Sequence, residues 1–503
     1  MTIIQSLWIG NTLSNIEIYS LKSFLNTGHI VHLYIYNEID NIPDGVVVKD
    51  GNDILPENLI FKIKESVAPF ADIFRYKLLY EKGNYWSDLD MIATRHFDFE
   101  EDYIFSSERT IQKGAYKSKK DYVANIGVLK APLHSDFYNQ LYTKCLNNVL
   151  DNKERHYTHY MTLMRKQIEK YGFERYVKPP ETFCGLDWWY AKDMFYNKPF
   201  KKKYGVEPQG DFFENYSIHL WRHLVVDKYK MNVDDNYNSN SLWEQMKRFV
   251  DIDYVVAIPS YRRAETLKKK TLRVLNEYNI SKNKITIFVA NEEEYEIYTK
   301  ALPDGYNIII GELGMGNIRN FISNYFEKGQ YIFNIDDDIS KIIELKIDKN
   351  EGKATALPFT GDGLDQFIRN GFRECFRKNL SLFGIYPVSN PFFMSRRISY
   401  DLRYIIGSCW GCINGDVRVS MDDKEDVERT IKYYIQDGGV IRYCNVSVVS
   451  SYYREKGGMQ VTRTNERILQ SAEKLVETYP NLCSLYLGKK NGYAEVKLLH
   501  KKK

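Results

Sequence analysis

The sequence predicts an α/β protein built from two Rossmann-like units in tandem. Three observations carry that expectation. Apolar strands alternate with amphipathic helices, the grammar of a mostly parallel sheet covered by helices. The alternation runs twice, on either side of a polar stretch whose centre, 232–240, is rich in turn residues. In each half an acidic cluster follows a strand, Asp88 and Asp90 in the first and Asp336, Asp337 and Asp338 in the second. Open α/β sheets bind ligands beyond the carboxyl ends of their strands, which is where these acids fall. The expected boundaries are 1–230 for the first unit, 231–252 for a linker and 253–503 for the second.

The elements follow in order. The first half opens with strand IIQSLWIG, then helix IEIYSLKSFLNTG closed by Gly28, then strand HIVHLYIYN. Helix PFADIFRYKLLYEKG places Phe70, Ile73, Phe74 and Leu78 on one face and stops at Gly83. NYWSDLDMIA reads as a strand ending in acid, and ANIGVLKAP as another strand. The second half repeats the pattern. Strand YVVAIPS precedes a basic helix ETLKKKTLRVLNEYN, and strand KITIFVAN an acidic helix EEEYEIYTKAL. Strand YNIIIGE leads through LGMGN to helix IRNFISNYFEKG, and strand QYIFNIDDD ends in three carboxylates.

Composition limits the alternatives. With 44% hydrophobic and 15% aromatic residues in 503, the chain can bury cores of domain size, which excludes a disordered or fibrous chain. A net charge of +4 excludes a polycation but leaves local basic patches at 117–120, 201–203, 268–270 and the terminus. No apolar run reaches the ~18–20 residues of a membrane span, and MTIIQSLWIGNTLSN lacks the basic start of a signal peptide, so no membrane association is expected. Seven cysteines, an odd and sparse set, fit a reducing compartment. Cys409 and Cys412 form a CxxC without a second pair at zinc-site spacing.

The acids carry the chemistry. On a strand, Asp88 and Asp90 would share a face, about 6.5–7 Å apart. Two carboxylates held together repel unless a cation sits between them, and a divalent ion carrying a diphosphate supplies it. The bland alternative is a solvated turn. Asp336 and Asp338 would share a face in the same way, or one acid would cap a helix starting at Ile339. Upstream, Gly314, Gly316, Asn317, Arg319 and Asn320 sit at a loop-to-helix junction, where free amides and a forked cation favour phosphate oxygens. In DDKED, an acid among Asp422, Asp423, Glu425 and Asp426 is placed to accept a proton from an acceptor hydroxyl, or simply to complement a helix dipole. His219 in SIHLW is a candidate third ligand beside Asp88 and Asp90, or a packed histidine. Gly457 and Gly458 in KGGMQ admit a close phosphate or a hairpin turn.

These residues resemble known families. Over 1–225, Trp8, Ile9 and Gly10, then Asp72, Arg75, Gly83, Tyr85, Asp88 and Asp90, with Asn125, Gly127 and His219, resemble the glycosyltransferases with a DxD-containing sugar-binding region. That resemblance implies a GT-A fold, a nucleotide-sugar donor, a UDP-sugar in particular, and Mn2+ or Mg2+ held by Asp88, Asp90 and His219. Trp8, Gly10 and Arg75 would join the donor site. Only one glycine, Gly83, stands where that family usually shows two. Over about 253–500, IPSYRRAETLKKKTL, IFVANEEEY, LGMGNIRNFI, IDDDI, GIYPVSNPFFM, YIIGSCWG, DDKEDVERTIKYY and KGGMQ resemble the TET-associated glycosyltransferase domain of bacteriophages, a GT-A relative. By that resemblance Pro259, Ser260, Tyr261 and Arg262 would line the base pocket, with Asn291 and Glu292 near the base or ribose. Gly316 and Arg319 would face the diphosphate, Asp336 and Asp338 the metal. Asp426, with Glu425 beside it, would be the base. The resemblance implies two GT-A-type nucleotide-sugar-binding domains in tandem. It also implies an acceptor hydroxyl on a hypermodified pyrimidine, such as 5-hydroxymethylcytosine, in double-stranded phage DNA within the infected host's cytoplasm. Two sequential transfers would then be available to the two modules. The rival expectation is a glycosyltransferase for capsule, lipopolysaccharide or virion glycoprotein saccharides.

Overall fold

A computed structural model describes residues 2–111, 121–150, 159–347, 354–361, 363–450, 464–488 and 493–499. The basic clusters at 117–120 and the terminus lie outside the described residues, as does KGGMQ at 456–460. The chain divides into two compact units, Met1–Asp251 and Ile252–Lys503, each a mixed α/β fold around its own sheet.

In the first unit, β1 (Ile3–Trp8), α1 (Asn15–Asn26), β2 (Ile30–Ile35), β3 (Val47–Asp50), α2 (Ala68–Lys82) and β4 (Asn84–Ser87) come first. Next are β5 (Met91–Ala93), β6 (Ile104–Arg109), β7 (Tyr122–Ala131), α3 (Asp136–Leu150), α4 (His159–Tyr171), α5 (Pro180–Phe183), β8 (Ser217–His219) and α6 (Leu242–Val250). The main sheet has the order β3-β2-β1-β4-β7-β6. Its first four strands are parallel, and β7 and β6 extend it antiparallel. Helix α2 carries Pro69 in its first turn, where the missing N–H gives up no bond, and ends on Gly83 at φ +60°. A Cβ at Gly83 would meet the Leu133 amide nitrogen at 2.7 Å, so only glycine closes this turn. One face of α2 buries Phe70, Ile73, Phe74 and Leu78, as the periodicity predicts.

Two features differ from the sequence reading. NYWSDLDMIA is not one strand. β4 stops at Ser87, a turn carries Asp88 to Asp90, and β5 pairs with β8 in a separate two-stranded sheet. The two acids therefore share a turn rather than a strand face. The Asp88 amide donating to the Gly127 carbonyl at 2.8 Å holds that turn against β7. The stretch read as a linker is part of the first unit up to Asp251. Ser241 caps α6 on the Glu244 amide, and α6 buries Trp243 against Tyr19 and Phe195.

The second unit begins with β9 (Tyr254–Pro259), α7 (Ala264–Lys269), α8 (Thr271–Glu277), β10 (Ile285–Val289), α9 (Glu292–Ala301), β11 (Asn307–Ile310), α10 (Met315–Tyr325) and β12 (Tyr331–Ile335). It continues with β13 (Ile339–Ile347), β14 (Ala354–Pro358), α11 (Gly363–Lys378), β15 (Leu382–Ile385), β16 (Ile398–Ser399), β17 (Cys409–Ile413) and α12 (Glu425–Asp437). β18 (Ile441–Tyr443), β19 (Val446–Ser450), α13 (Asn465–Thr478), β20 (Cys483–Tyr486) and β21 (Glu495–Leu498) complete it. The eight-stranded sheet runs β11-β10-β9-β12-β17-β15-β18-β16, parallel through its first four strands. The basic helix read at 265–279 is two helices, broken at Lys270. The break frees the Thr271 hydroxyl to donate to the Asp336 carbonyl at 2.7 Å and to accept from the Ile339 amide at 3.0 Å. Ile339 starts a strand and not a helix. Cys409 and Cys412 are buried free thiols that join different core clusters on the two faces of β17, so the CxxC is packing. Among the described residues no helix is long and apolar enough to cross a membrane.

His29 is a buried group with a consequence for stability. Its ring stacks on His96 at 4.3 Å, and its Nε2 accepts the Phe97 amide at 3.0 Å. Burial, and then the neighbouring His96, push its pKa down to about 3. The folded state thus keeps His29 neutral while the unfolded chain protonates near 6.5. Its contribution is complete above about pH 6.5 and is lost as pH falls from there toward 3, by at most about 1.4 kcal/mol per pH unit. Between pH 7 and pH 4 the urea midpoint of the parent should fall relative to that of His29→Gln measured over the same range.

Candidate functional site

Among the four parallel strands of each main sheet the order reverses at one place. β1 has β2 on one side and β4 on the other; β9 has β10 and β12. Beyond the carboxyl ends of such strand pairs lies the crevice in which open α/β sheets bind ligands. Both acidic turns sit there, Asp88 to Asp90 after β4 and Asp336 to Asp338 after β12.

In the first unit Asp88 Oδ1 accepts from Arg75 Nη1 at 2.8 Å and Trp86 Nε1 at 2.9 Å. Arg75 also meets Asp72 at 3.2 Å and donates to the Ile126 carbonyl at 2.8 Å. Burial raises the Asp88 pKa, and Arg75 opposes it. Burial likewise lifts Asp72 to about 7 against the same guanidinium. Burial would raise Asp90 too, but His219 beside it holds the carboxyl below its ordinary value. His219 Nε2 lies 3.2 Å from Asp90 Oδ2, its Nδ1 lies 3.7 Å from Cys184 Sγ, and its ring stacks on Trp221 at 3.8 Å. Burial would lower His219, yet the Asp90 carboxylate raises it. Trp8 ends β1, and Gly10 follows it. The Trp8 indole folds back to donate to the Thr12 carbonyl at 3.0 Å, and a Cβ on Gly10 would stand 3.1 Å from that indole nitrogen.

Among the described residues no three His, Cys, Asp or Glu form a ready-made metal site. Asp90 and His219 nevertheless adjoin, and Asp88 Oδ2 has no hydrogen-bond partner among the described residues. Two carboxylates and an imidazole are a donor set that suits Mn2+. The first unit therefore fits an ion, provided the Asp90–His219 pair opens.

In the second unit each acid has its own environment. Asp336 Oδ1 accepts from Arg319 Nη2 at 2.9 Å, and Arg319 also donates to the Gly407 carbonyl at 3.0 Å. Asp337 accepts from Ser260 Oγ at 2.6 Å and Arg263 Nη1 at 3.1 Å. Burial lifts Asp337 to about 6, against the opposing charge of Arg263. Burial raises Asp336 as well, with Arg319 opposing. Asp338 is buried. Pro259 ends β9, and Ser260 also pairs with Tyr298 Oη at 2.7 Å. Arg262 adopts φ +56°, its guanidinium over the Tyr261 ring, and its amide donates to Glu294 at 2.7 Å. Asn291 caps α9 on the Glu294 amide at 3.0 Å, leaving Glu292 exposed in the first turn.

The α10 start is not an open anion cradle, because the Gly316 amide donates to Asp422 Oδ1 at 2.9 Å. Glu425 and Asp426 separate into two roles. Glu425 is buried and bound by Arg429 at 2.7 Å, with Arg319 at 3.8 Å. Asp426 is half-buried; the Tyr404 hydroxyl donates to its Oδ2 and the Val427 amide to its Oδ1 at 2.9 Å.

Several residues at these sites escaped the sequence reading. Arg263, Thr271, Tyr404 and Arg222 had no local signal. Arg429 did, four residues after Glu425 on one helix face. Glu17 did as well, as the acid of the capping box with Ser14.

No family profile matches the chain, and no curated relative does. Solved structures that align with it include the glycosyltransferase GlyE of Streptococcus pneumoniae TIGR4, at 13% identity and TM-score 0.28, covering 62% of this chain and 81% of that one. Another is the mannosyltransferase PcManGT of Pyrobaculum calidifontis in complex with GDP-Man and Mn2+, at 11% identity and TM-score 0.30, covering 46% and 69%. A third is residues 1–349 of TarS of S. aureus in complex with UDP, at 13% identity and TM-score 0.28, covering 39% and 59%. Superpositions this loose leave function to be argued from the residues.

Proposed function

We propose that the protein is a glycosyltransferase with two nucleotide-sugar sites, one in each unit. The observation that carries the reading is the pairing of a turn of acids with a buried arginine at the sheet switch point, found independently in both units. Arg75 and Arg319 hold the first acid of each turn in place, so the site is set before any ligand arrives. Asp88, Asp90 and His219 in the first unit, and Asp336 with Asp338 in the second, would hold Mn2+ or Mg2+, which when bound offsets the charge of a departing nucleoside diphosphate. In the second unit Asp426 is the acid free to take a proton from the acceptor hydroxyl, since Glu425 is locked by Arg429. In the first unit no residue is assigned as a base.

For the acceptor we infer the hydroxyl of a hypermodified pyrimidine in DNA. The motif resemblance of the second unit supports it. One observation favours the saccharide alternative. Within the described basic clusters Lys202, Lys203 and Lys269 are paired with Glu207, Asp193 and Glu265, which leaves less charge for a phosphate backbone.

The test is release of nucleoside diphosphate from a panel of nucleotide sugars, with and without EDTA, given either hydroxymethylated DNA or oligosaccharide. Turnover that EDTA abolishes and hydroxymethylated DNA stimulates is expected. Stimulation by oligosaccharide alone would move the acceptor to the second reading, and no turnover with any donor would end the glycosyltransferase reading itself. Asp88→Asn should remove metal-dependent donor binding in the first unit without unfolding it, and the pair Asp336→Ala and Asp338→Ala should do so in the second.

A further inference from the structure

We infer that Arg222, which no motif singles out, is the phosphate-gripping cation of the first unit's donor site. The inference rests on the nucleotide-sugar reading of that unit and adds the group that would hold the donor's diphosphate.

The geometry begins with Glu17. Its side chain is fully buried, a costly place for a carboxylate unless every oxygen is satisfied. One oxygen, Oε2, accepts from the Ser14 amide at 2.7 Å and from the Ser14 hydroxyl at 2.5 Å. The other, Oε1, accepts from Arg222 Nε at 2.6 Å. The guanidinium also lies over the Trp8 ring, 5.4 Å from its centroid. A carboxylate that cannot move thus fixes an arginine by its inner nitrogen, against an indole at the end of β1.

The outer nitrogens are left over. The Arg222 side chain is 34% exposed, and among the described residues Nη1 and Nη2 have no hydrogen-bond partner. They are the two ends of the fork that match a phosphate's paired oxygens. The position is set by the acidic turn, because the Arg222 amide donates to Asp90 Oδ2 at 2.9 Å. A purely structural arginine would spend its fork on carbonyls or carboxylates, as Arg75 does with Asp72, Asp88 and the Ile126 carbonyl. Arg222 spends only Nε. Its ligand is an anion with paired oxygens, the diphosphate of a nucleotide.

The experiment titrates UDP, GDP, inorganic pyrophosphate and uridine, with Mn2+ present, into the full chain. The background carries Asp336→Asn so that the second unit's site does not mask the first. Whichever diphosphate binds should lose about 10- to 100-fold in affinity in Arg222→Ala, the worth of a charge-assisted pair of hydrogen bonds, while uridine binding stays unchanged. Arg222→Lys keeps the charge without the Nε anchor and should recover part of the loss. Thermal melting checks that each variant is folded. Diphosphate affinity within about twofold of the parent in both variants, or an equal loss for uridine and UDP, would overturn the role of Arg222 and leave the donor-site reading standing. Failure of the parent chain to bind any of these diphosphates would overturn the donor-site reading itself.

Discussion

Asp426→Asn should lower turnover by about 10²- to 10⁴-fold while leaving donor affinity nearly unchanged, because a general base acts in the transition state and not on the bound donor. The two hydrogen bonds at this carboxylate enter different oxygens, so the carbonyl oxygen of asparagine can keep the one from the Val427 amide while its NH2 donates to the Tyr404 hydroxyl, which turns to accept, and the site should keep its shape. Steady-state rates and donor titrations of the same preparation check it. Equal losses of rate and affinity would remove Asp426 as the base. Glu425→Gln is the useful contrast. It weakens a buried pair with Arg429 at 2.7 Å and should show itself first in stability.

Arg75→Ala should be the most destabilising single change in the first unit. The guanidinium is 5% exposed and serves Asp72 and Asp88 together, besides stacking on Trp86 at 4.7 Å. Its loss leaves two buried carboxyls without their cation, an error that costs about 3–5 kcal/mol in other buried pairs. In a domain of this size that is roughly 6–20 °C in the melting transition of the unit, read by calorimetry. The loss should be smaller near pH 5 than at pH 8. Without Arg75 the carboxyls would be neutral through more of the acid range, and a neutral carboxyl is cheaper to bury. A melting point unchanged at pH 8 would show that water or rearrangement satisfies both acids.

Much of the fold was legible because burial follows periodicity. The α2 face of Phe70, Ile73, Phe74 and Leu78, its stop at Gly83, and strands β1, β2 and β9 to β12 are all local patterns. What was misread has one physical cause. Whether a run such as NYWSDLDMIA stays one strand depends on partners far away: β5 leaves the main sheet because β8, more than a hundred residues on, pairs with it. The break at Lys270 is of the same kind, since Thr271 answers to Asp336 and Ile339.

The candidate sites divide along the same line. By itself the sequence determined which residues are acidic and that they follow strands, since composition and hydrophobic alternation are properties of neighbours in the chain. Only the tertiary structure decided which cation meets which acid: Arg75 with Asp88, His219 with Asp90, Arg319 with Asp336, Arg263 with Asp337. It also separated locked Glu425 from accessible Asp426, and left the fork of Arg222 open. Those are matters of through-space distance and burial, where charges interact most strongly, and neither is written in the order of residues.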